Sequence, residues 1–430
     1  LRFDPVFLAF ESDKGLLSRT LKMEDRRLLS EVQKSPISSS VPITPFPFQT
    51  MWEAVRLEAK GLTHVHHLFF DRTLRVVGSL WEALQAEPDP RLRVFLRFWI
   101  DSHFQNLSVL NRYRPEVSFP YNPMAGAYYL GSLISEESPF VAYSNKLKRI
   151  AAVLVPRRGG VESSIVSTGS SSQLPLPSNS VDYVFTDPPF GDNYPYSELN
   201  FVAEAWNRVF SQADKEAVVD RTKRDRSSQK SMATYQLNLT RCFREYHRVL
   251  KPGRWITVVF SNSRNSIWRA IQEAIGVSGF VIADVRTLDK QQLSFKQVTS
   301  SAVKQDLVIS AYKPTETVSK KFTLGASSQD AVWSLMAEHL ANVPVFVATK
   351  DEGEVLRERT AQVLHDHMVA FHVQRELSIP LGTADFLGGL RSRFPERDGM
   401  FFLPTQVVEY DRKRSAVKKL KQIELSVNDE

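Results

Sequence analysis

At Asp187-Pro188-Pro189-Phe190 the apolar run Val181–Thr186 ends in a carboxylate, two prolines and an aromatic ring. Proline has no backbone N–H and a fixed φ, so two in succession make a stiff turn whose carbonyls stay out of a helical ladder. The turn presents the Asp187 carboxylate and the Pro188 carbonyl as two acceptors in fixed positions, with the Phe190 ring beside them. Two acceptors next to an apolar face suit a planar ring bearing an exocyclic amino group. The two N–H bonds of the amine point at the acceptors while the ring stacks on Phe190. Holding both hydrogens localises the nitrogen lone pair, which in the free base is conjugated into the ring, and makes the amine a nucleophile toward an electrophilic methyl.

Such a turn needs a scaffold, and the surrounding periodicity supplies one. From about residue 149, short β-rich runs alternate with amphipathic helices. "SSIVSTG", "VDYVFTD", "WITVVF", "FVIADV" and "DLVISAY" read as strands. Leu199, Val202, Trp206 and Val209 mark one helix face; Leu239, Cys242, Phe243, Tyr246, Val249 and Leu250 mark a second, broken at Lys251-Pro252-Gly253. Ile267, Ala270, Ile271, Ala274 and Ile275 mark a third. This alternation predicts a mostly parallel α/β sheet covered on both faces, with ligands bound beyond the carboxyl ends of its strands, where Asp187 sits.

The stretch resembles motif IV of the amino-group DNA methyltransferases, which use S-adenosylmethionine and carry Asp/Asn/Ser-Pro-Pro-Tyr/Phe. The Asp-Pro-Pro-Phe form is commoner in the adenine-N6 enzymes. The likeness runs through "YSELNFVAEAW", "EYHRVLKPGRWITVVFSN" and "QVTSSAVKQDLVISAYKP", and the closing "DGMFFLPTQVVEYDRKR" is similar to the large bacterial DNA methylases. It implies α/β architecture with a Rossmann-like methyltransferase sheet, and Asp187, Pro188, Pro189 and Phe190 as the catalytic clamp. It further implies cofactor-binding Gly169, Ser170 and Ser171 in a motif III loop "STGSSSQLP". Tyr194 and Tyr196, just past the motif, are candidates for the target-base pocket.

The implied reaction is transfer of a methyl group from S-adenosylmethionine to the N6 amine of adenine in double-stranded DNA, the base being flipped from the helix. Cytosine-N4 in DNA, guanine-N2 in RNA, and a non-catalytic nucleic-acid-binding subunit are the alternatives. A restriction or defence-system partner is compatible with the resemblance. The family's motif I, a glycine-rich turn that cradles the methionine part of the cofactor, needs glycine for close backbone approach. No Gly-x-Gly occurs in the sequence; Gly159-Gly160 and Gly388-Gly389 are the adjacent pairs. The expectation is therefore a downstream part of a longer methyltransferase, with 1–60 an extended connector rich in Ser and Pro, 61–148 a mostly helical insertion, 149–314 the catalytic core and 315–430 an α+β extension with a basic tail.

Composition adds less. The chain has 430 residues, 42% hydrophobic and 24% charged, with a net charge of +7 and a pI of about 9.3, which favours an anionic partner. Arg221, Lys223, Arg224 and Arg226, with Lys230, form a basic run in a turn-rich stretch suited to phosphate contact. Cys242 is the one cysteine, so a disulfide framework is excluded and a reducing, cytoplasmic compartment is expected. No apolar run is long enough to span a membrane. His64, His66 and His67, and His365, His367 and His372, look metal-like, yet on a helix His365 and His367 point about 200° apart. No metal is expected.

Overall fold

The computed structural model describes residues 3–12, 15–113, 128–154, 164–192, 196–220, 230–260, 264–289, 305–318, 329–349, 352–373, 377–417 and 419–422. The chain divides into two compact units. One comprises Leu1–Val166, Tyr194–Glu216 and Asp220–Gln229; the other comprises Ser167–Asn193, Ala217–Val219 and Lys230–Glu430. The span 149–314 coincides with neither.

The first unit opens with an antiparallel hairpin, β1 (Phe7–Ser12) and β2 (Gly15–Thr20), followed by α1 (Met23–Val32). The Ser/Pro-rich stretch after it is irregular but not merely a connector: Val41, Phe46 and Phe48 are buried in the core. Proline removes the donors a regular element needs, but the apolar side chains between the prolines still leave water. The helices are α2 (Val55–Glu58), α3 (Asp71–Ala86), α4 (Pro90–Asp101), α5 (Pro139–Leu154) and α6 (Tyr196–Asn207). Asp89 starts α4 by accepting from the Arg91 N–H at 2.8 Å, with Pro90 at the first helical position. Trp206 of α6 stacks on Phe104 at 5.0 Å and meets Trp81 and Phe69 edge-on. Val209, expected on the same face, lies past the helix end and is exposed.

The second unit is built on a four-stranded sheet of order β3 (Val181–Thr186), β4 (Leu250–Phe260), β6 (Gln305–Tyr312), β5 (Val281–Asp289). β3 and β4 are parallel, with Tyr183 opposite Trp255 and Thr186 opposite Val258, whereas β6 is antiparallel to both β4 and β5. The sheet is thus mixed rather than mostly parallel. The pair β3 and β4 is joined through α7 (Met232–Val249), a crossover that permits parallel pairing. "SSIVSTG" is not a strand either: its described residues are exposed, Ile165 and Val166 at 94% and 95%, and pair with nothing in the sheet.

One face of the sheet is covered by α7 and α8 (Asn265–Val277). Tyr235, Leu239 and Phe243 of α7 and Ile267, Ile271 and Ile275 of α8 pack with Ile256, Val258, Phe260 and Ile309. On the other face Trp255, Ala283 and Tyr312 pack with Val343, Met400, Phe402 and Tyr410. That cover stops short of β3, where Tyr183 and Phe185 are 53% and 63% exposed. The expected break at Lys251-Pro252-Gly253 instead lies inside β4, where Gly253, at φ +74°, lets the register jump between Val181 and Tyr183.

The remaining elements are α9 (Gln329–Asn342), α10 (Ala361–Val373) and α11 (Thr383–Arg393), which share a core of Met336, Leu364, Met368 and Phe386. Before α10, Glu352–Val355 forms a strand, β8, paired antiparallel with β7 (Ala348–Thr349). α12 (Val407–Ser415) carries Arg412, Lys413 and Arg414 of the basic tail; Arg414 and Lys413 pair with Asp398 and Glu409. Among the described residues no helix is long and apolar enough to cross a membrane.

Candidate active site

β3 delivers Asp187 at its carboxyl end, and the chain then turns through Pro188-Pro189-Phe190-Gly191. Asp187 is exposed while Pro188 is buried, so the carboxylate stands on a turn rooted in the protein. The roots come from several elements of this unit. The Pro189 carbonyl accepts hydrogen bonds from the Tyr235 hydroxyl at 2.8 Å and from the Gly191 N–H at 3.0 Å. Tyr235 is fully buried on the apolar face of α7, so its hydroxyl reaches the turn from a fixed base. The Gly191 carbonyl accepts from the Val219 N–H at 3.1 Å. Arg264, the N-cap of α8, pairs with Asp192 at 3.2 Å.

Gly191 is required at its position for two reasons. Its φ is +68°, a region that residues with a side chain rarely adopt, and a Cβ there would lie 2.6 Å from Ile267 Cδ1. Phe190 is half-buried and meets Phe260 edge to face, with centroids 5.2 Å apart; Phe260 in turn lies parallel to Trp268. The ring expected to stack on a base is thus itself part of an aromatic chain running into the core of α8 and β4.

The cofactor candidates Gly169, Ser170 and Ser171 lie in the same unit, in an exposed turn where the Ser170 and Ser172 hydroxyls meet at 2.8 Å. A Cβ on Gly169 would meet nothing within 4 Å, and its φ is not in the left-handed region, so the fold itself does not demand glycine there. The loop becomes anchored only afterwards. Glu245 accepts from the Leu174 N–H, and Arg248 donates to the Leu174 and Leu176 carbonyls. At the opposite end of the sheet from Asp187, Lys313 donates to Asn179 Oδ1 and to the carbonyls of His247 and Leu250, tying the start of β3 to the end of α7.

Of the other expected residues, Tyr196 opens α6 in the first unit and is 38% exposed; Tyr194 lies outside the described residues. Arg221, Lys223, Arg224 and Arg226 also lie outside them. Lys230 is described and is buried, so it is not the solvent-facing cation that the basic run suggested. Cys242 packs on its helix, where burial pushes the thiol up to about 11. The rings of His64, His66 and His67 cluster 4.3 to 5.5 Å apart, and burial, then mutual repulsion, holds His66 and His67 below the usual histidine range. Tyr235, Arg264 and Gly191 are missed by sequence reasoning. Glycine directly after a Pro-Pro-aromatic turn is the one local signal for them.

Residues 181–354 match the family model of the N6/N4 methyltransferases, described as DNA methylase. The match covers under half of the chain and begins with β3, so it takes in the Asp187 turn and all four strands of the sheet. S-adenosylmethionine is the cofactor that goes with this family. No curated protein sequence matches the chain. Among solved structures, a SAM-dependent methyltransferase from Methanosarcina mazei is 12% identical, covering 40% of this chain and 77% of its own, at a TM-score of 0.22. A candidate DNA modification methylase from Thermus thermophilus, complexed with S-adenosyl-L-methionine, is 14% identical, covering 60% and 98%, at 0.20. The [4+2]-cyclase SpnF is 15% identical at 0.20, and the chain spans 56% of its length. At this level of superposition none of them assigns an activity to this chain.

Proposed function

We propose that the Asp187–Phe190 turn holds the exocyclic amine of a flipped base, and that the protein takes part in S-adenosylmethionine-dependent methylation of adenine N6 in double-stranded DNA. The observation that carries this is the match to DNA methylases over a segment that begins with β3 and contains the anchored Asp187 turn. Asp187 accepts one amine hydrogen and the Pro188 carbonyl the other. Tyr235 acts as a positioning residue, since its hydrogen bond to the Pro189 carbonyl fixes the next peptide along. Phe190 gives the base an apolar surface, and the cost of flipping, a few kcal/mol, is comparable with the ~1–3 kcal/mol that a base gains on an aromatic ring.

The donor side is incomplete. Gly169, Ser170 and Ser171 form an open, exposed turn, and the sequence contains no Gly-x-Gly to cradle a methionine group. On this reading the cradle comes from outside these 430 residues, and calorimetry on the chain alone finds weak or no S-adenosylmethionine binding. The decisive measurement is mass spectrometry of nucleosides from DNA and RNA incubated with the complete protein and labelled cofactor. N6-methyladenine supports the proposal; N4-methylcytosine or N2-methylguanine reassigns the base, and no methylated nucleoside favours a binding subunit.

A further inference from the structure

Far from the Asp187 turn in sequence, α9, the 3-10 turn Arg357–Arg359 and α10 bring together His339, Glu358 and His367. One nitrogen of each imidazole and one carboxylate oxygen all lie within 4.8 Å of one another, and this is the single such trio among the described residues. The two rings are nearly perpendicular, at 86°, with centroids 4.6 Å apart. His367 Nε2 lies 3.4 Å from Glu358 Oε2, in a geometry short of a hydrogen bond, and Glu358 Oε2 is buried with no hydrogen-bond partner. Orphaned polar atoms of this kind cost free energy unless something occupies them.

We propose that His339, Glu358 and His367 form a binding site for a divalent transition-metal ion of the zinc type. Two imidazoles and one carboxylate are a common zinc ligand set, leaving a fourth position for water. Metal–ligand bonds of about 2.0–2.1 Å in a tetrahedron put neighbouring ligand atoms about 3.3–3.4 Å apart, the separation seen between His367 and Glu358. Wider pairs close by side-chain rotation on loading. His339 is fully buried, held between the Glu358 carbonyl, 3.2 Å from Nε2, and the Tyr312 hydroxyl, 3.5 Å from Nδ1. A carbonyl only accepts, so the proton belongs on Nε2 and the lone pair on Nδ1, which the long Tyr312 contact can yield to a metal.

The protonation states agree with this geometry. Burial pushes His367 down to about 4 and His339 well below the usual range, which leaves both imidazoles neutral, the form that binds metal. Burial, reinforced by the Asp284 charge, outweighs the opposing Arg357 charge and pushes Glu358 up to about 7, so too little positive charge faces the carboxylate. A bound ion would supply that charge and pin α9 to α10, since the first holds His339 and the second holds His367. The remaining histidines of α10 take no part: His365 lies 3.3 Å from the Thr383 hydroxyl, and His372 Nδ1 lies 2.7 Å from the Met368 carbonyl.

The test uses the untagged chain, stripped with EDTA and dialysed against micromolar zinc sulfate, with bound metal measured by elemental mass spectrometry. The expected result is stoichiometric zinc, a raised Tm, and, with cobalt(II) in its place, the intense visible absorption of a four-coordinate ion. Glu358→Gln and His367→Ala are each expected to weaken zinc binding by at least about tenfold, and His365→Ala to leave it unchanged. The proposal is overturned if the wild-type chain retains no stoichiometric zinc, or if folded Glu358→Gln and His367→Ala bind as it does. Should either variant fail to fold, the wild-type cobalt spectrum decides: a weak octahedral spectrum rejects the site.

Discussion

Between Asp187 and Asp192 the backbone and side chains are tied to α7, α8, Val219 and Phe260, whereas Ser167 to Ser171 lie exposed and, among the described residues, bond within their own turn. Both stretches flank the same strand, and the sequence assigns both to the site. On the proposed reading, the half of the site that would face the base is prebuilt by this chain's own core, while the half that would face the methyl donor is not. A rigid acceptor pair costs no reorganisation when the amine arrives, which is where positioning contributes most to a transfer of this kind.

Four substitutions break or sharpen that contrast. Asp187→Ala in the complete protein is expected to lower methylation by at least about 100-fold with an unchanged circular dichroism spectrum, because the residue is exposed; retained activity would remove it from the clamp. Gly191→Ala forces a side chain into a left-handed turn against Ile267 and should cost about 1–3 kcal/mol, read as a lower urea midpoint. Tyr235→Phe deletes one hydrogen bond from a buried ring and is expected to cost about 0.5–1.5 kcal/mol, with a fall in kcat larger than any rise in KM. Gly169→Ala, with open space around it, should stay within about 0.5 kcal/mol of the parent. A cost as large as that at Gly191 would show that the upstream loop is built after all.

Much of the second unit is legible in the sequence because its strands are short apolar runs bounded by breaks. Val181–Thr186, Trp255–Phe260 and Gln305–Tyr312 carry this signal, as do the stripes of α7 and α8. Strand direction is not legible in the same way. β6 reads like its neighbours, yet it runs antiparallel to both of them. "SSIVSTG" has the composition of a strand, but composition does not provide a pairing partner. At the site, Asp187 announces itself through two prolines, whereas Tyr235 looks like any other apolar position on α7 until the fold brings it under Pro189. Helical spacing tests the histidines of α10 only against each other. His339 and Glu358 lie on other elements, and no spacing rule connects them to His367.

Tyr183 and Phe185 have a practical consequence. They project from an edge strand that has no strand partner on its other side among the described residues, and Asp182, paired with Lys251, is the charged neighbour that breaks the run. A bare edge with two surface aromatics is a template for self-association. Solutions of this polypeptide should therefore turn cloudy with rising concentration well before they lose helical signal on heating. Replacing Phe185 with lysine should clear them without disturbing the turn that follows.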